Sequence, residues 1–305
     1  MNWPLRPSRL PVPVLLALLA SGCAVGSSAA RAMGGRPLAP AGSFALTPYV
    51  AGLFTVEGEV AGRRLPFLFD TAGGVTLLTL AAAEAAGCAP YGNDVGFRHD
   101  GGQVVLQRCA GVQLTLGAGP ASWRTRDAEL AVFDLAQLLG NAPEIGGLIS
   151  LASFEGERIT IDLPGREIVR ESPASFAARI AGARELRIRP GRQAGGAALD
   201  LFVAVDSPRG PLWFELDSGS TGETLIAPHA AALLGLDLAP TERRSAALTL
   251  HGLPPVELAV RLREKLIYDG LISIGFFERF VVTLDLEAMR AWVRPRAEPA
   301  PMPAR

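Results

Sequence analysis

The alternation of apolar and polar positions along most of the chain is that of short strands. Residues 53–60 and 64–69 read as two strands joined by Ala61-Gly62, a turn pair, and so as a hairpin. The apolar stretch Leu65-Pro66-Phe67-Leu68-Phe69 ends in an acidic residue, Asp70. A helix is expected over 80–86, capped by Thr79 and stopped by Gly87. Strands follow at 103–109 and 112–116, with a hairpin tip at His99-Asp100-Gly101-Gly102. Apolar segments at 130–139 and 145–151 precede a hairpin whose arms, 158–163 and 166–169, flank Pro164-Gly165. A short helix at 175–183 leads to strands at 185–189 and 201–205 and a second apolar stretch, Leu212-Trp213-Phe214-Glu215-Leu216, again running into an acid, Asp217. Helix 229–235, strands 246–250 and 256–262, and a closing hairpin over 280–293 complete a mostly β chain with short helices.

The two halves repeat. With Asp70 placed on Asp217, an offset of 147, Leu78 falls on Leu225 and both copies enter an Ala-rich helical run. Gly-Leu-Ile-Ser occurs at 147–150 and again at 270–273, an offset of 123. At that offset Phe154 meets Phe277, Thr160 meets Thr283 and Asp162 meets Asp285. Two copies of this length are two homologous lobes rather than a solenoid. An apolar strand carries the acid at its end toward the interior, where a single carboxylate is a liability. One from each lobe suggests a shared site.

Composition narrows the function. The chain has 305 residues, a net charge of −1, 49% hydrophobic and 7% aromatic residues. That length supports two modest cores, and near-neutral charge gives no electrostatic case for nucleic acid. His99, His229 and His251 are scattered and no His/Cys spacing resembles a zinc motif, so no metal or cofactor is expected. Arg6 and Arg9 precede an apolar run at 14–20 and then Ser21-Gly22-Cys23, which reads as an export signal over 1–23. The segment resembles a lipoprotein cleavage box in which Cys23 is lipidated and ties the protein to a membrane, although Ala20 stands where Leu is usual. The alternative is an ordinary signal cut near Ala30 or Ala32. The expected layout is a tether at 24–43, a first lobe at 44–171, a connector at 172–184, a second lobe at 185–295 and a disordered tail at 296–305. An exported, periplasmic or envelope setting would allow Cys88 and Cys109 to pair; otherwise they are two buried thiols.

Asp70-Thr71-Ala72-Gly73 and Asp217-Ser218-Gly219-Ser220 resemble the Asp-Thr/Ser-Gly loops of aspartic proteases. Residues 270–285 resemble the closing segment of the bacterial retropepsin-like group, and the resemblance covers most of 44–294. It implies a single-chain, two-lobed enzyme, as in pepsin-like proteins, built from retropepsin-like lobes with a cleft between them, a monomer with a pseudo-two-fold axis, and a peptide or protein substrate. It also implies that Asp70 and Asp217 share one proton and activate water between them, with Thr71 and Ser218 holding the loops together and Gly73, Gly219 and Ser220 letting backbone N–H groups approach.

One departure stands out: Ala72 occupies the place of the family's Gly, and strain there would weaken catalysis. The first lobe is also longer, with 77 positions from Asp70 to Gly147 against 53 from Asp217 to Gly270. The excess includes Phe97, His99, Gly101 and Gly102, the candidate flap over substrate. The expected activity is an exported aspartic endopeptidase. Its alternatives are a protease-like lipoprotein that binds peptide without cutting, and a structural envelope lipoprotein.

Overall fold

The computed structural model describes residues 39–119, 122–140 and 142–296. The expected leader, Cys23, most of the expected tether and the expected tail from 297 lie outside them. Each lobe is built around the same three-strand crossing. In the first, strand Gly147–Ile149 lies between Arg63–Phe69, parallel to it, and Leu77–Leu78, antiparallel to it. In the second, Gly270–Ile272 lies between Leu212–Leu216 and Thr224–Ile226 with the same two directions. The repeated glycine has a steric cause. A Cβ on Gly147 would sit 1.9 Å from the carbonyl oxygen of Leu77, so only glycine lets the strands pass. Phe67, Phe69, Phe214 and Leu216 are fully buried, which anchors the strands that carry the two acids.

The lobes share one antiparallel platform, in the order Arg184–Leu186, Arg290–Pro295, Phe280–Asp285, Arg158–Asp162, Glu167–Arg170, Gly42–Pro48. Its central pair sets Thr160 opposite Thr283, with their hydroxyl oxygens 3.0 Å apart. These two residues are equivalent in the repeat, so the pseudo-two-fold axis runs between them.

The first hairpin turns at Ala61 and Gly62 with φ of 48° and 77°, as a tight turn matched to strand twist requires. Helix Leu80–Ala85 is capped by Thr79, whose hydroxyl accepts from the amide of Ala82 at 3.2 Å. Several expected boundaries move. Gly42 and Ser43, assigned to the tether, already pair with Arg170 and Val169, so ordered chain begins before 44. The strand expected at 185–189 is two strands, Arg184–Leu186 and Ile188–Gly191, which join different sheets. The connector helix is Pro173–Ile180, started earlier than expected by a Ser172–Ser175 capping box. Arg296, expected in the tail, is held by its amide bond to the Arg279 carbonyl (2.9 Å) and an ion pair with Asp162.

Cys88, just after the first helix, and Cys109, at the end of strand Gln103–Cys109, are joined by a disulfide with Cα atoms 5.9 Å apart. Among the described residues no helix is long and apolar enough to cross a membrane.

Candidate active site

Asp70 and Asp217 leave the ends of their strands, with their amides bonded to the carbonyls of Ile149 (3.0 Å) and Ile272 (2.9 Å). The crossing strands of the two lobes thus fix both acids in the same way. The loops that follow are cross-bonded. The Thr71 amide donates to Ser218 Oγ at 3.0 Å, and the Ser218 amide donates to Thr71 Oγ1 at 2.9 Å. The grip is not symmetric, because the Thr71 hydroxyl also donates to the Leu216 carbonyl at 2.6 Å. Both hydroxyl residues are buried, so these bonds act away from water.

Within each loop the amide two residues on donates to the acid: Ala72 to Asp70 Oδ1 at 2.9 Å and Gly219 to Asp217 Oδ1 at 2.7 Å. Gly219 also packs directly against the Asp70 carboxylate, and the two carboxyls influence each other's titration. Ser220 adds its amide to Asp217, and its carbonyl accepts from the Ile274 amide at 3.0 Å. Burial pushes both carboxyls above their usual range. Asp217 is pushed further, because the charge of Asp70 adds to its desolvation. Asp70 is opposed by three donors, the Ala72 amide, the Asp217 carboxyl and the Gly219 amide. The two carboxyls therefore hold one proton between them and titrate as a pair.

The strain expected at Ala72 is absent. Ala72 and Gly73 both avoid the left-handed region, and the turn that needs it falls one residue later, at Gly74 with φ of 64°. Behind the loops, Ser150 Oγ donates to the Gly74 carbonyl at 3.0 Å, and its repeat equivalent Ser273 donates to the Gly222 carbonyl at 2.9 Å. These serines are the last residue of each Gly-Leu-Ile-Ser copy.

The dyad lies at the floor of a cavity of about 530 Å3. Strands Tyr91–Phe97 and Gln103–Cys109 form a hairpin that contributes Gly96, Phe97, Val104 and Leu106 to its lining. Of the candidate flap residues, Phe97 and His99 line the cavity, while Gly101 and Gly102 form the hairpin tip and are not part of its lining. The hairpin reaches the second lobe: the Phe97 amide donates to Gln193 Oε1 at 3.0 Å, and the Ile267 amide donates to the His99 carbonyl at 2.9 Å. In sheet order, Gln103–Cys109 occupies the place that Arg243–Leu248 holds in the second lobe. Among the described residues Tyr91–Phe97 has no counterpart there, which locates part of the first lobe's extra length.

Sequence reasoning passed over Asp200, Glu215, Gln193 and Tyr268, all of which line the same cavity. Glu215 carries a legible signal, since it is a charge inside an apolar strand two residues before Asp217 and so on the same face. Asp200 stands at a strand start and Tyr268 in a loop, with nothing local to mark them. Among the described residues no cluster of His, Cys, Asp and Glu has the arrangement of a metal site.

No family model matches the chain, and no curated protein matches it in sequence. Solved structures match in fold. An aspartic proteinase from Irpex lacteus is 14% identical, with 83% of this chain and 97% of that one covered and a TM-score of 0.52. A structure titled EDGP is 8% identical, with coverage of 85% and 96% and a TM-score of 0.54. Basic 7S globulin from soybean is 10% identical, with coverage of 82% and 94% and a TM-score of 0.51. The fold is the two-lobed, pepsin-like acid protease fold. The likeness supports the pepsin-like, two-lobed part of the resemblance and not its retropepsin-like bacterial part.

Proposed function

We propose that the protein is an aspartic endopeptidase that hydrolyses peptide bonds by activating water between Asp70 and Asp217. The observation that carries this reading is the pair itself: two buried carboxyls from equivalent positions of a duplicated fold, lining one cavity and coupled in their titration. In the proposed reaction the ionised Asp70 takes a proton from a bound water as its oxygen attacks the peptide carbonyl carbon. Asp217 gives its proton to the carbonyl oxygen. The tetrahedral intermediate then collapses: the C–N bond breaks as the proton held by Asp70 passes to the leaving amine, and a hydroxyl of the intermediate returns its proton to Asp217 as the C=O bond re-forms, restoring the starting pair. Thr71, Ser218 and Gly219 position the carboxyls, and the hairpin excludes bulk water.

The reading extends to location. The basic and apolar leader is that of an exported protein with Cys23 as a lipidation site, and a disulfide joining Cys88 to Cys109 suits an oxidising compartment. A peptide-binding protein that does not cut is the second reading; what favours it is that the fold is shared with basic 7S globulin from soybean as well as with an aspartic proteinase. The test is cleavage of a diverse peptide library from acid to neutral pH by wild type, Asp70→Asn and Asp217→Asn. Cleavage by wild type that both variants lose supports the endopeptidase. Peptide capture by folded wild type with no cleavage at any pH supports the binding protein.

A further inference from the structure

Two buried carboxylates beside the dyad have no part in activating water. Glu215 precedes Asp217 by two residues on strand Leu212–Leu216, so both side chains leave the same face of the sheet. Strand Asp200–Val205 runs antiparallel beside it with Phe202 opposite Glu215. Asp200, two residues from Phe202, lies on that face as well. The relative exposure of Asp200 is 3% and that of Glu215 is 4%, and both line the cavity that holds the dyad. Among the described residues Oδ1 of Asp200 has no hydrogen-bond partner.

The surroundings suit a cation. The ring of Tyr268 stands edge-on to Phe202 at 4.8 Å, and its hydroxyl accepts from Gln193 Nε2 at 3.1 Å. This gives the pocket an aromatic wall tied to the residue that also holds the flap. The nearest resident cations are engaged elsewhere. Arg192 pairs with Glu155 and donates to the carbonyls of Gly196 and Ala198, both at 3.3 Å, while Arg263 faces Asp100 at 3.9 Å. An acid buried without a partner is costly, and the cost is relieved when a ligand brings the missing charge and donors.

We infer that Asp200 and Glu215 form a pocket for an ammonium or guanidinium group of the bound peptide, so that bonds beside lysine or arginine are the ones presented to the dyad. The inference rests on the endopeptidase reading and names its substrate class. Burial holds both acids toward their protonated forms, with Asp200 raised to about 7 by desolvation and then by the charge of Asp70, against the weaker pull of the Gly74 amide and Arg192. An incoming cation displaces those protons, so its affinity falls as pH drops below about 7.

The experiment measures binding and cleavage separately. Two peptides carry an uncleavable hydroxyethylene unit in place of the central amide and differ only in lysine or norleucine beside it. Each is made with a free and an acetylated N-terminus, and each is titrated calorimetrically into wild type, Asp200→Asn and Glu215→Gln at pH 8. Lysine should bind at least about tenfold tighter than norleucine to wild type, with the preference lost in both variants. Dependence on N-terminal acetylation instead of on lysine would identify the peptide's own α-ammonium as the cation. Equal binding of all four peptides, or a lysine preference that survives both substitutions, overturns the pocket. The wild-type comparison stands even if a variant fails to fold. Cleavage of ordinary peptides with no charge preference leaves the endopeptidase standing while overturning the pocket; cation-dependent binding without cleavage does the reverse.

Discussion

A Cβ on Gly219 would lie 2.4 Å from Oδ2 of Asp70, so the second loop can close against the first lobe's acid only because this residue has no side chain. The contact is one-sided, since the equivalent position in the first loop is Ala72 and the chain accommodates it. The contact also bears on the electrostatics, since the Gly219 amide lowers both carboxyls against the desolvation that raises them. Gly219→Ala should therefore push the loops apart and lower kcat by about a hundredfold, as a displacement of catalytic groups by an ångström does. Ala72→Gly should leave kcat near wild type and lower stability by about 0.5–1 kcal/mol through unfolded-chain entropy. Steady-state kinetics with denaturant melts of both variants checks the pair; a large gain in kcat from Ala72→Gly would mean that Ala72 does impair the loop.

The unequal grip between the loops gives a second prediction. Thr71→Val keeps the side chain's shape but leaves the Ser218 amide and the Leu216 carbonyl without the partner hydroxyl. Ser218→Ala removes the partner of the Thr71 amide. Each orphaned buried group costs about 1–3 kcal/mol, so Thr71→Val should lower the urea midpoint more than Ser218→Ala. Thr71→Ser should recover most of the loss. Equal effects of the valine and alanine variants would show that the Leu216 bond contributes nothing.

Flap attachment can be tested at Gln193. Its side chain accepts from the Phe97 amide and donates to Tyr268, so one truncation loosens both the hairpin and the pocket wall. A hydrogen bond contributes roughly 1 kcal/mol, which is about fivefold in a local opening equilibrium. Gln193→Ala should speed amide exchange across residues 94–106 by about that factor and raise KM more than it lowers kcat. Unchanged exchange would mean that the Ile267–His99 bond alone holds the hairpin.

The disulfide fastens the base of the same hairpin to the first helix. Closing a loop of 21 residues stabilises by about 3 kcal/mol in the chain-entropy account. Replacing Cys88 and Cys109 together with serine should lower the melting temperature, and a reducing agent should do the same to wild type. A reductant effect that persists in the double variant would exclude this bond as its cause.

Much of this architecture is legible in the sequence because a duplication repeats its own signals. The acid at the end of each apolar strand, the following hydroxyl residue and the Gly-Leu-Ile-Ser element recur at fixed offsets, and each copy supports the other. Thr160 and Thr283 are legible as equivalents, though not as a bonded pair on the lobe axis, because sequence carries no cross-lobe register. Ala72 is misread for a related reason. A Gly-to-Ala departure suggests strain only if the position needs a left-handed backbone, and here that demand falls on Gly74. Asp200 escapes notice because its partners come from another strand and the other lobe's loop.

The buried acids make stability depend on pH in an unusual direction. The carboxyl of Asp200 rises from an ordinary 3.8 to about 7, mainly by desolvation. Between those values the unfolded chain has released the proton and the folded chain still holds it, so stability falls as pH rises through that window. Across the whole shift the loss is on the order of 4 kcal/mol. Asp70, Glu215 and Asp217 are raised in the same sense and add to the trend. Wild type should thus melt at a higher temperature near pH 4.5 than near pH 7.5. Asp200→Asn, which cannot ionise, should gain stability at pH 7.5 and little at pH 4.5, flattening the profile. Thermal unfolding of both proteins across that range is decisive: parallel profiles would show that Asp200 is ionised throughout, with solvent or a resident cation satisfying it in the folded protein.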